Sequence, residues 1–178
     1  MSVLNIIRMG HPTLRTPASE VAKDDIVSTS MNTLIEDMVE TLEDAGGIGL
    51  AAPQINLPIR LAIIQVPGGP SRYGDIDSAP LTVFFNPRIT VLDPASAGYW
   101  EGCLSVPGLR GYVQRPQHVR VDYLTRDAEE ATLELTGFLA TVVQHEFDHL
   151  DGRLYVDHIS DMSLLMFEDE WQRYHQDS

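Results

Sequence analysis

The strongest chemical signal in the chain is "QHEFDHLDG", Gln144–Gly152. His145-Glu146-x-x-His149 spaces two imidazoles four residues apart, which puts them on one face of a helix, one turn apart. Nitrogens so placed converge on one metal ion. Glu146 then lies beside the ion without sharing it. That is the position of a carboxylate that takes the proton of a metal-bound water and returns it to a leaving group. The flanking Val142, Val143, Phe147 and Leu150 are apolar. Polar groups buried among them need a partner, and a metal supplies one. The competing reading, two surface histidines with a chance Glu between them, does not account for that apolar setting.

A catalytic metal site needs a third protein ligand and an open fourth position. Metzincins supply a third His in H-E-x-x-H-x-x-G-x-x-H; this chain follows the pattern to Gly152 but has Tyr155 in the last slot. Gluzincins use a Glu from a later helix, which makes Glu168 and Glu170 candidates, although both sit in an acidic segment of solvated character. Cys103, in "YWEGCLSVPG", is the better candidate. A lone cysteine is commonly a small buried hydrophobe, but Gly102 and the run Leu104–Gly108 give this one a turn-rich setting. Its thiolate, at about 2.3 Å, would complete a tetrahedral Cys/His/His site with one water. His11, His118, His158 and His175 read as surface or packing residues.

A second stretch, "AGGIGLAAPQ" (Ala45–Gln54), satisfies the dinucleotide fingerprint G-x-G-x-x-[G/A] at Gly47, Gly49 and Ala52. The fingerprint requires a strand before the turn and a helix after it. Here a helical pattern precedes the glycines and Pro53-Gln54 follows them. No acidic residue closes a second strand near "IIQVPGG".

These residues need elements to position them. Residues 1–30 read as an extended, irregular arm, since His11-Pro12 and Thr16-Pro17 disfavour helix. Met31, Leu34, Ile35, Met38 and Leu42 recur at helical spacing, with Ser30 as predicted N-cap and Gly46 or Gly47 as stop. Ile59–Val66 and Leu81–Phe85 are short apolar strands, separated by a Pro/Gly/Ser-rich loop over residues 67–80. Asn86-Pro87 predicts a turn before a strand at Arg88–Leu92. His118–Leu124 and Ala131–Thr136 alternate with period two, and Gly137–Leu150 has helical spacing stopped by Asp151-Gly152. A last amphipathic helix over about Ser163–Tyr174 carries Leu164, Phe167, Trp171 and Tyr174 on one stripe, predicted to be core. Strands grouped between helices predict an α+β fold with mainly antiparallel sheets and a C-terminal helix.

At 178 residues the chain predicts one domain, 1–178, able to bury about 70% of its unfolded surface. Hydrophobic residues make up 43% and charged residues 21%, as in an ordinary soluble globule. No apolar run approaches a membrane span and "MSVLNIIRMGHPTLR" lacks a signal-peptide core, so the expected location is cytoplasmic. A net charge of −14 argues against extended DNA or RNA binding.

Three blocks stand in one order: "GIGLAAPQ" (Gly47–Gln54), "EGCLS" (Glu101–Ser105) and "QHEFDHLDG". Together they closely resemble the peptide deformylases, over nearly the whole chain from "RMGHPTLR" to "LYVDHI". The resemblance implies removal of the formyl group from N-formylmethionine at the start of new polypeptides, by a compact α+β domain with mainly antiparallel sheets packed around a central metal-binding helix. It implies Cys103, His145 and His149 as metal ligands and Glu146 as general base and acid. Gln54 and the backbone N–H of Leu104 would bind the formyl oxygen. Backbone groups at Ile48 and Gly49 would hold the peptide as an added strand, with Glu101 and Gly102 beside it. Ile48, Tyr99, Phe138 and Val142 would line the methionine pocket. The implied cofactor is one divalent ion, Fe²⁺ physiologically, with Zn²⁺, Ni²⁺ or Co²⁺ able to replace it. A thiolate ligand makes that ion a weaker Lewis acid than a three-His site would, which raises the demand on Glu146.

Deformylases act on chains emerging from ribosomes, and a basic tail would assist docking there. This tail instead carries Asp161, Glu168, Asp169, Glu170 and Asp177 against a lone Arg173, which predicts weak or differently mediated association. Two other readings compete. A gluzincin-like endopeptidase would not need Cys103, and a binding module with a structural metal would not need Glu146.

Overall fold

The structure, a computed structural model, describes residues 2–71, 74–76 and 78–176. Arg72, Tyr73 and Asp77 of the expected loop, and Asp177 of the acidic tail, lie outside the described residues.

The N-terminal arm is largely irregular, as the prolines dictate, but it holds a 3-10 turn at Pro12–Arg15 and one helical turn, α1, at Lys23–Ile26. It packs tightly, with Leu14 and Ile26 fully buried. Helix α2, Thr29–Asp44, starts earlier than the apolar spacing predicts. Its N-cap is Ser28 rather than Ser30: Ser28 has the extended backbone a cap requires, and its Oγ accepts the Met31 N–H at 3.2 Å. Such a cap contributes about 1 kcal/mol. At the other end the glycine stop is as expected, Gly46 N–H bonding to Glu43 O and Gly47 N–H to Leu42 O.

The strands are β1 (Gly49–Ala51), β2 (Leu61–Val66), β3 (Gly69–Ser71), β4 (Gly74–Ile76), β5 (Ala79–Cys103), β6 (Val106–Leu124) and β7 (Glu130–Thr136). The main sheet runs β1-β2-β5-β6-β7 with antiparallel neighbours, and β3 and β4 form a separate pair inside the expected loop. The two short strands expected at Leu81–Phe85 and Arg88–Leu92 are one strand, β5, which continues to Cys103. The expected turn at Asn86-Pro87 is a kink within β5. The register shifts between Phe85 and Arg88, and Asn86 takes φ 49°, so the chain absorbs the proline without leaving the sheet. Likewise β6 reaches back from the expected His118 to Val106, through Pro107 and Pro116.

Helix α3 is Gly137–Leu150, the predicted span, and it follows β7 without a loop. The corner needs a left-handed residue, and Gly137 provides it at φ 59°. Both faces of β2 are covered, which is why its sequence is continuously apolar. Ala62, Ile64 and Phe84 face a core shared with Ala140, Val143, Phe147 and Leu150 of α3. Leu61, Ile63 and Phe85 face one shared with Ile35, Met38 and Leu42 of α2.

The C-terminal segment departs most from expectation. In place of one helix it forms a 3-10 turn at Met162–Leu164, a strand β8 (Leu165–Phe167) paired with Leu109–Gly111 of β6, and a short helix α4 (Glu168–Tyr174). Strand pairing breaks the helical stripe. Trp171 is buried, but Phe167 is 66% and Tyr174 68% exposed, so the predicted core stripe is not core. The α+β class, with a C-terminal helix, is the one observed. No helix among the described residues is long and apolar enough to cross a membrane.

Candidate metal centre and catalytic cleft

Helix α3 carries His145 and His149 one turn apart, with ring centroids 5.3 Å from each other. Cys103 ends β5, and the two-residue connection Leu104-Ser105 returns the chain into β6. The ligand atoms of Cys103, His145 and His149 all lie within 4.8 Å of one another, and Cys103 Sγ is 3.3 Å from His149 Nε2. Burial alone would raise the Cys103 thiol, but His149 and His145 outweigh it and hold it down at about 5. The cysteine is therefore a thiolate at neutral pH. Burial alone would lower His145, but Cys103 and Glu101 push it well above its ordinary value. Both shifts say that the cluster calls for positive charge. His149 Nδ1 and Glu146 Oε2 are buried without a partner among the described residues. A buried thiolate with two converging imidazoles is a donor set that a tetrahedral divalent ion fits, with one position left open.

The ligands are held from behind. His145 Nδ1–H donates to Glu101 Oε2 at 2.7 Å, which fixes the tautomer and turns Nε2 toward the sulfur. Glu101 also accepts from Arg115 Nε at 2.6 Å and Nη2 at 3.1 Å, and Arg115 Nη1 donates to Asp148 Oδ2 at 2.8 Å. Burial would raise Glu101, but His145 and Arg115 keep its carboxyl below its ordinary value, so it stays ionised. Tyr155, in the slot where a metzincin has its third His, stacks on His145 with centroids 6.0 Å apart. Glu168 and Glu170, the gluzincin-type candidates, are bound to Arg110 and Arg173 and take no part in the donor group. The other histidines are engaged elsewhere: His11 caps Thr13, His118 meets Glu134, His158 meets Asp148, and His175 lies against Trp100.

Glu146 is buried beside the cluster. Burial raises its carboxyl, with Cys103 and Glu101 adding to the rise and His145 and His149 opposing it. Gly49 explains how it fits. A Cβ at position 49 would lie 2.3 Å from Glu146 Oε1 and 2.5 Å from its Cδ, so strand β1 passes the carboxylate with no room to spare. Gln54, in the 3-10 turn Ala52–Ile55 after β1, has its amide orientation set. Its Oε1 accepts the Ala51 N–H at 2.8 Å, so its NH₂ must face Ser105 Oγ at 3.3 Å and Cys103 Sγ at 3.6 Å. The N-terminal arm pins both sides of this contact, through Ile7 N–H to Gln54 O and Met9 N–H to Ser105 O.

These groups open on a cleft of about 490 Å³. Ile48, Gly49, Gln54, Tyr99, Glu101, Gly102, Cys103, Leu104, Phe138, Val142, His145 and Glu146 all line it; His149 lies fully buried behind. Tyr99 and Phe138 meet edge to face at 5.7 Å, giving one end an apolar wall. Glu101 lines the cleft with its oxygens turned to His145 and Arg115. The sequence alone does not single out Ser105, Arg115 or the pair Arg110–Glu168. No local pattern marks them, because each partner is distant in the chain. The dinucleotide reading fails on topology, since the glycine turn joins α2 to a three-residue strand and then a 3-10 turn.

A family model described as polypeptide deformylase matches residues 3–164. A peptide deformylase of Leptospira biflexa is 39% identical over 170 residues, covering 96% of this chain and 95% of the relative. One from Saccharophagus degradans is 43% identical over 175 residues, covering 98% and 95%. Among solved structures, the Met-Ala-Ser-bound class I type b peptide deformylase of Acinetobacter baumannii superposes with a TM-score of 0.85 at 37% identity, covering 89% of this chain and all of that one. With the Cys/His/His donor group and the cleft beside it, these likenesses place the chain in the peptide deformylase family of metal-dependent amide hydrolases.

Proposed function

We propose that residues 1–178 act as a single catalytic domain that hydrolyses the N-formyl group of formylmethionine on newly made polypeptides, with Glu146 as general base and acid. The observation that carries the reading is one cleft in which the Cys103/His145/His149 donor group, the buried Glu146 carboxylate and the oriented Gln54 amide meet. When bound to those three ligands, a divalent ion polarises the carbonyl and acidifies the attacking water; Fe²⁺ is the proposed physiological ion, and Zn²⁺, Ni²⁺ or Co²⁺ suit the same donors.

The chain's own residues do the rest. Glu146, raised by burial toward the working pH, accepts the proton of the attacking water and passes it to the departing amine. The formyl C–N bond breaks to give formate and a free N-terminal amine. Gln54 Nε2, with its carbonyl tied to Ala51, donates to the developing oxyanion, and the Leu104 backbone N–H is the second donor. Such donors contribute about 3–4 kcal/mol each. Glu101 holds His145 in its tautomer and Arg115 holds Glu101. Strand β1 lies at the edge of the main sheet, so Ile48 and Gly49 can receive an extended peptide as an added strand. Ile48, Tyr99, Phe138 and Val142 receive the methionine side chain, and Gly102 lies beside the peptide. Met-Ala-Ser in the Acinetobacter relative supports a peptide ligand here.

The site of action is the cytoplasm, on chains leaving the ribosome. The acidic residues at 161, 168, 169 and 170 make the C-terminal segment a poor contact for rRNA, so ribosome association is weak or made elsewhere. Co-sedimentation that strengthens at low salt and vanishes on tail deletion would contradict this. For the activity itself, the test is formyl-Met-Ala-Ser with the Ni²⁺ enzyme, or the Fe²⁺ enzyme kept anaerobic. Formate release without internal peptide cleavage is expected. Cleavage of an internal bond with no formate would favour the endopeptidase reading.

A further inference from the structure

Beyond the residues matched by the family model, 3–164, lies a segment that the proposed reaction does not yet use: β8 and α4. Its contacts converge on the strand end that carries Cys103. Arg110 of β6 is buried, and its Nε and Nη2 donate to Glu168 Oε1 at 3.0 and 2.5 Å. Its guanidinium lies 5.7 Å from the centre of the Trp171 ring. On its other side it presses on Gly102, where a Cβ would meet Nη1 at 2.2 Å and Cζ at 2.6 Å. The guanidinium is thus stacked between α4 and the peptide unit next to Cys103. Trp171 also packs 6.4 Å from Trp100, the residue before Glu101. Helix α4 therefore buttresses the stretch Trp100–Cys103 from both ends. Arg110 and Glu168 both line the catalytic cleft, and Arg110 is the only Lys or Arg that does so among the described residues.

Resting on the deformylase reading, we infer that Glu168 is a positioning residue of the cleft. It clamps Arg110 against Gly102 and keeps the guanidinium out of the space taken by the peptide beyond the methionine. Removing the carboxylate takes the Nε and Nη2 hydrogen bonds from a long cationic side chain at that wall and loosens it there. A short substrate that ends at methionine does not reach the wall, so the effect depends on substrate length.

The experiment compares kcat and KM for formyl-Met and formyl-Met-Ala-Ser in wild type, Glu168→Ala, Glu168→Gln and the double variant Glu168→Ala/Arg110→Ala. A charge-assisted hydrogen bond of this kind is worth on the order of ten-fold. The tripeptide's advantage in kcat/KM over formyl-Met is expected to fall about ten-fold in Glu168→Ala, chiefly through KM. A smaller fall is expected in Glu168→Gln, which can still accept a bond, and partial recovery in the double variant, which has no guanidinium to release. Equal losses on both substrates would reduce Glu168 to a structural role, and an unchanged ratio in both single variants would show the clamp idle; either overturns the inference. Glu168→Gln, isosteric and partly exposed, carries the test if Glu168→Ala folds poorly. A wild type that releases no formate from either substrate would instead overturn the deformylase reading.

Discussion

Gly49→Ala is the substitution that reveals most about how the cleft is built. The residue is not held in a left-handed backbone, so alanine meets no conformational penalty there, and the whole effect is contact with Glu146. The new Cβ would lie 2.3 Å from Oε1, 2.5 Å from Cδ and 2.7 Å from Cγ, where ordinary contact begins near 3.4 Å. Carboxylate and strand must separate by about 1 Å, and Glu146 is too buried to swing aside freely. A displacement of that size at a catalytic group costs about 10²-fold in rate. Overpacking costs about 2 kcal/mol of stability, or roughly 4–8 °C in Tm for a chain of this length. The assay is formate release from formyl-Met-Ala-Ser, with metal content measured on the same sample. The expected result is kcat down about 10²-fold, KM nearly unchanged and metal retained. If Gly49 instead serves only the close approach of a substrate backbone, KM rises and kcat holds. That outcome, or activity within about three-fold of wild type, would show that Gly49 does not set the place of the carboxylate.

Other expectations follow from the same geometry. Gln54→Ala removes the proposed oxyanion donor and leaves the Ala51 N–H without its acceptor, so kcat is expected to fall about 10²–10³-fold with metal retained, read by the same assay. Glu101→Gln weakens the support of His145 and leaves Arg115 buried against a neutral amide. Metal affinity should fall about 10–100-fold in a chelator competition, and stability by up to about 3–5 kcal/mol in a denaturant titration. The pH dependence has a definite sign. For Asp148, burial would raise the carboxyl, but His158 and Arg115 lower it below 3.8; Glu101, with His145 and Arg115, is likewise held below 4.5. Lowered folded values stabilise the protein above those ordinary values, and the contribution is lost as pH falls through the folded ones. Tm should therefore drop steeply on acidification below about pH 4.5, and less steeply in Asp148→Asn. Glu146 is shifted the other way, so the acid limb of the kcat profile should lie above 4.5.

What the sequence discloses and what it hides divide along physical lines. The metal-binding helix was legible because a 3.6-residue period and a ligand spacing of four are the same geometry, and α3 has the predicted bounds. Cys103 was legible because it is the lone cysteine and sits among turn-forming residues, away from the apolar runs where a packing cysteine belongs. The long strands were not, because Asn86-Pro87 and Pro107-Gly108 carry local turn signals that sheet pairing overrides through kinks and shifted register. The C-terminal stripe misled for a similar reason. Leu164, Phe167, Trp171 and Tyr174 keep a helical period, but pairing of Leu165–Phe167 with β6 interrupts the helix and turns two of them to solvent. Neither the clash that makes Gly49 necessary nor the Glu101–Arg115–Asp148 chain leaves a local mark, since both join residues 14 to 97 positions apart only in three dimensions.

In the proposed mechanism Glu146 moves the proton in a cleft whose three ligands hold the metal without it. The decisive comparison is formate release from formyl-Met-Ala-Ser by the Ni²⁺-loaded wild type and Glu146→Ala, with bound metal determined on both. Equal metal content is expected, with a loss of at least about 10²-fold in kcat for the variant. Retained metal with retained deformylation would show that another group carries the proton.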